Sequence, residues 1–155
     1  MATHSVAQRG AATVPRPERH LAGKTCIAFL GLLGLGALAG GIALVAKPDG
    51  SVMHFDVSLL AGSPFVDFTV PGLILGGMFG VGSFAVAAMG LARFRAAPFL
   101  AFALGCGQMI WIVIELAIIK ELSFLHPVCF GLGSIIAASA IPWGWPTLQG
   151  WRASH

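Results

Sequence analysis

Charge is what this sequence has least of. Only 10% of its 155 residues are Asp, Glu, Lys or Arg, against about 25% in a soluble domain. The few charges are also segregated, leaving long stretches with none, so a water-soluble globular domain is excluded and a one-domain integral membrane protein is implied. Cysteine is sparse as well. Cys26, Cys106 and Cys129 are widely spaced, each within an apolar run, and no CxxC occurs. Thioredoxin-like redox chemistry and a cysteine-based zinc site both lack their minimal spacing, which leaves small apolar packers. There is no GxSxG and no Ser or Cys beside a clear base, so nucleophilic catalysis has no case. Nor is there a basic patch interleaved with aromatics, which removes nucleic acid from the partners. The sequence specifies no cofactor.

Hydrophobic residues make up 57% of the chain, and there are 21 glycines. The apolar residues fall into four runs, at about 26–46, 70–92, 99–119 and 124–141. The first holds 21 uncharged residues, about 31 Å of helix and enough to cross the hydrocarbon core. Runs this long and continuous predict helices, since barrel strands are alternating segments of about 10 residues. The expected fold is an all-α membrane protein, a bundle of four transmembrane helices. Lys24, the apolar core and Ala37-Leu38-Ala39 imitate a cleaved secretory signal. The run continues unbroken to Ala46, so an anchor is expected instead.

Orientation follows from the basic residues. Seven of the nine (Arg9, Arg16, Arg19, Lys24, Arg93, Arg95 and Arg152) flank one side; Lys47 and Lys120 alone flank the other. The positive-inside rule then predicts a multi-pass protein of the cytoplasmic membrane with both termini inside, N-in/C-in. Trp143, Trp145 and Trp151 past the fourth span fit an aromatic belt at the inner interface. Residues 1–23 lack apolar periodicity and read as a disordered basic tail that can rest on anionic lipid. The transmembrane domain is expected over 24–145, with a cytoplasmic tail at 146–155.

Helices in lipid associate through small residues. Gly72, Gly76 and Gly80 recur at every fourth position of the second span. The first offers Gly36 with Gly40 and Ala37 with Gly41, and the fourth Cys129, Gly133 and Ala137. These stripes predict a compact bundle, and equally serve a homo-oligomer or a membrane protein partner. Turns at 93–98 and 120–123 are short, so spans two to four are expected as antiparallel neighbours. The long outer connection, 47–68, lies between spans one and two. Within it Met53, Phe55, Val57 and Leu59 alternate with polar residues, which predicts a short extended segment over the bundle mouth, like a lid. Asp67 or Thr69 is placed to cap the second helix.

One carboxylate sits in the third span, in "QMIWIVIELAII": Glu115, about 6 Å inside its outward end. Facing lipid it is costly, so it is expected to turn inward. Gln108 and Trp111 share its helical face. His126 opens the fourth span, Asp67 the second, and His54 and Asp56 lie in the lid. Two histidines and three carboxylates thus converge on the outer mouth, and three readings stay open. Glu115 hydrogen-bonds His126 or backbone as interhelical glue. Or Glu115, Asp67, Gln108 and Trp111 line a pocket for a lipid head group, quinone or other amphiphile. Or His54, Asp56, Glu115 and His126 bind a metal, although no HxxxH, HxxE or ExxH spacing is present.

The motifs "GSPFVDFTVPGLIL" (62–75), "WIVIEL" (111–116) and "FLHPVCFGLG" (124–133) resemble those of a group of small four-helix bacterial integral membrane proteins, over roughly residues 26–142. The resemblance implies an architecture and a shared outer mouth, not an activity. Helix count and size are similar to the DoxX-like proteins, but that group's acidic motif at a helix start has no counterpart here, so the likeness is architectural only. The expected role is a structural or accessory subunit, or a binder of an amphiphilic molecule at the outer face. The alternative is a membrane enzyme or proton-coupled transporter using Glu115 with Asp67 and His126.

Overall fold

A computed structural model of the protein describes residues 16–119 and 124–152, and side chains between 18 and 144 within them. Arg9, Lys120 and the 120–123 turn, and the side chains of Arg16, Arg19, Trp145, Trp151 and Arg152, fall outside that description. Four helices are long and apolar enough to cross a membrane: α1 (Arg16–Ala46), α2 (Thr69–Leu91), α3 (Ala97–Ile119) and α4 (Leu125–Arg152). Large apolar side chains such as Leu35, Ile42, Met78, Phe102, Ile110 and Phe130 are exposed on them, as lipid-facing surfaces require.

Each helix packs on two neighbours. α1 lies against α2 and α4, α3 lies against α4 and α2, and α1 and α3 barely touch across the diagonal. The core of the bundle is Cys26, Leu30, Leu33, Val86, Ala87, Ala101, Ile136 and Ala140. Two glycine contacts set its tightness. A Cβ on Gly41 would stand 2.5 Å from the Cα of Gly76 and 2.7 Å from Gly72 O, and one on Gly105 2.7 Å from Gly133 O. Only glycine permits such an approach. Gly80 packs on the Leu38 backbone and Gly40 on Leu75, whereas Gly36 is exposed and meets nothing within 4 Å. On α1 the close approach runs through Gly41, as the spacing suggested, and through Gly34, which it did not single out.

Three local features depart from a plain helical reading. Residues 16–23, expected in the tail, belong to α1, with Pro17 and Glu18 in the first turn, where a missing N–H and a negative charge both suit a helix. α4 likewise continues past 141, and Trp143 there packs against Gly23 of α1 and Gly90 of α2. Within α2, Ile74–Val81 is a π-helix, closed by the Gly82 N–H donating to Gly77 O. Three glycines in that stretch make the wider turn sterically permissible.

The 47–68 connection is not extended. It forms two 3₁₀ turns, Ser51–Met53 and Val57–Leu60. Asp49 Oδ1 accepts from the Ser51 N–H (3.1 Å) and hydroxyl (2.8 Å), and Asp56 Oδ1 from the Ser58 N–H (2.7 Å). These aspartate-led turns draw the backbone away from the strand that the alternation suggested. Gly50 is left-handed (φ 76°), and a Cβ there would lie 2.7 Å from Phe55 O. The loop is pinned down by Leu44, Leu60 and Phe68, with Met53, Phe55, Phe65, Leu75 and Ile118 around them.

Candidate functional site

The loop end of the bundle gathers most of the polar side chains placed by the sequence. α2 starts there with a carboxylate on its first N–H: Asp67 Oδ1 accepts from Thr69 N at 2.9 Å. That is an ordinary use of aspartate at a helix start, where donors lack intrahelical partners. The Phe68 N–H donates to Pro48 O (3.0 Å), tying the start of α2 to the end of α1. The second 3₁₀ turn of the loop lies against α3.

Glu115 is half-buried on α3, one turn below Ile118. His126, in the first turn of α4, is 7% exposed. The two lie close enough to interact electrostatically, and so does Cys129, one turn further along α4, with Glu115. The wall around them is the seam between α3 and α4, one of the two most extensive helix contacts among the described residues. Deeper along the seam, Gln108 is 2% exposed, and its Cβ stands 3.2 Å from where a Cβ of Gly133 would be. Ser134 donates to Phe130 O (2.8 Å) and lies 3.2 Å from Met109 Sδ across the seam.

Trp111, one turn from Glu115, packs at a tilt of 52° against Phe79 of α2, ring centroids 6.2 Å apart, so its ring serves the α2–α3 contact. His54 is exposed and held at φ 57°, and Asp56 is exposed and engaged with Ser58. Among the described residues no three His, Cys, Asp or Glu side chains come together as a metal would need. Hydrogen bonds from Ser51 lower the pKa of Asp49, and those from Ser58 lower that of Asp56. Both carboxylates therefore act as anionic acceptors of the loop's own turns.

One buried polar residue escaped the sequence reading. Ser83 of α2 is fully buried, and its Oγ, like Gln108 Oε1, has no hydrogen-bond partner among the described residues. Its position was available: Ser83 follows Gly76 by seven residues and so shares the face of the glycine stripe.

Compared with protein-family models, curated proteins and solved structures, the chain matches none of them.

Proposed function

We propose that this chain is a four-span, N-in/C-in protein of the cytoplasmic membrane that binds the polar end of an amphiphilic molecule at the outward mouth of the α3–α4 seam. The supporting observation is the half-buried carboxylate of Glu115 opposite His126, in a span otherwise without charge. Ionisable groups at that depth mark ligand or ion sites more often than they mark packing. A carboxylate and an imidazole together accept and donate hydrogen bonds, which suits a head group bearing both hydroxyl or amine donors and an acceptor. The loop's apolar underside, Leu60 and Phe68, closes the same end of the bundle and supplies a water-poor roof.

A second reading, an accessory subunit of a larger membrane assembly, is favoured by Gly36 and Gly77. Both are exposed and have nothing within 4 Å of where a Cβ would lie, which is the surface another helix could approach closely.

Native mass spectrometry of the protein released gently from its own membrane separates the two. The amphiphile reading expects a retained small molecule that disappears in Glu115→Gln. A bare chain, or one travelling with a defined protein, rejects it and favours the glycine surface.

A further inference from the structure

The opposite end of the bundle carries a separate chemistry. α2 closes with the two bonds of a Schellman motif: the Phe94 N–H donates to Met89 O (2.9 Å) and the Arg93 N–H to Gly90 O (3.1 Å). The residue that turns left-handed is Arg93, at φ 61°. Glycine is the usual occupant of that position, and a side chain there costs stability. A positive charge at a helix C-terminus is favourable in itself. That explains a cation near the end of α2, but not one at the single position where the backbone opposes it.

The turn presents Arg93, Phe94 and Arg95 outward together. Phe94 is 59% exposed and Leu91, just before them, 71%. No ion pair engages either guanidinium among the described residues. Lys24 of α1 is exposed at the same end, because Gly23 and Gly90 both pack on Trp143. Glu18 is the exposed carboxylate on that part of α1, six residues before Lys24. Guanidinium groups bind phosphate through paired N–H donors. Exposed Phe and Leu beside them are poorly placed for water and well placed for the boundary between head groups and acyl chains.

We propose that the Arg93-Phe94-Arg95 corner, with Lys24, holds the phosphate of an anionic phospholipid, with Phe94 and Leu91 entering the acyl region beside it. The assignment does not depend on what the mouth near Glu115 binds. A free phosphate would satisfy the arginines but leave the two apolar side chains without a role.

The test uses the full chain in bilayers mixing phosphatidylglycerol with phosphatidylcholine, and reads the ratio of the two lipids retained in native mass spectra. Wild type is expected to enrich phosphatidylglycerol. Arg95→Gln and Arg93→Gly should each lower that enrichment about fivefold, the factor corresponding to one basic residue at a charged membrane surface. Because glycine suits φ 61°, Arg93→Gly should lose lipid without lowering the thermal midpoint, which separates lipid binding from folding. Millimolar inorganic phosphate should leave the retained lipid in place. Unchanged enrichment in both variants overturns the proposal. Displacement by inorganic phosphate overturns it too, in favour of a site for the free anion.

Discussion

The two strongest seams of this bundle are built from different materials. Between α1 and α2 the contact is backbone on backbone, Gly41 against Gly72 and Gly76, and among the described residues no charged side chain enters it. Between α3 and α4 the same device appears at Gly105 and Gly133, and beside apolar contacts such as Ala137, Met109, Ala101 and Ile136 the seam carries polar side chains, Gln108, Ser134, Glu115 and His126. Lipid gives helices no hydrophobic reason to associate, so close packing of small residues is enough to hold them. A seam that already has its glycine contact does not need a carboxylate for cohesion. On the proposed reading the glycines hold the fold and the polar end of α3–α4 is left to bind.

The largest effect should come from filling a glycine contact. Gly41→Leu or Gly105→Leu drives a side chain into neighbouring backbone that cannot yield, so at least the 1–3 kcal/mol typical of overpacking is expected, by about the same amount in either seam. Unfolding midpoints in detergent check this; a tolerated Gly105→Leu would mean that polar contacts hold α3 to α4. Asp67→Ala should cost about 1 kcal/mol through the lost helix-start bond, with Asp67→Asn close to neutral. If Asp67→Asn instead abolished a bound molecule while keeping the fold, the aspartate would belong to the site. Gly36→Ala has open space around it and exchanges glycine for the best helix former, so it should raise stability by up to about 1 kcal/mol. A fall would reveal a partner helix seated on that face.

The smallest effect concerns the loop. Asp49 and Asp56 have pKa values below the ordinary 3.8 in the folded chain. Their contribution is therefore full above that value and is lost as pH falls through the lower folded values. Amide exchange across 49–58 should lose protection only on acidification below about 4, the ordinary aspartate value. Protection that persists in stronger acid would mean the 3₁₀ turns stand without their carboxylates.

Composition and run length were enough to read four spans, because nothing but a helix satisfies its backbone in lipid over 20 apolar residues. Glu115 and His126 were readable for the same reason, as polar groups where charge is expensive. The details that failed are those decided by local competition. The alternation from Met53 to Leu59 looks like a strand until the aspartate turns at 49 and 56 take over the backbone. Spacing by four could not tell which of the overlapping small-residue pairs on α1 faces α2, so Gly36 was read beside Gly40 and Gly41 while Gly34 was passed over. Neither the π turn over 74–81 nor the left-handed Arg93 has a sequence signature, since glycine stripes and basic turns are common without them.

The division between the two seams is tested most directly by the thermal unfolding midpoint of Glu115→Gln beside wild type, in the same lipid. If the glycine contacts hold the bundle, the amide variant melts with the wild type, within about 0.5 kcal/mol of its stability, as expected away from packing defects. A collapsed or steeply destabilised variant would contradict this and make Glu115 the glue of the α3–α4 seam.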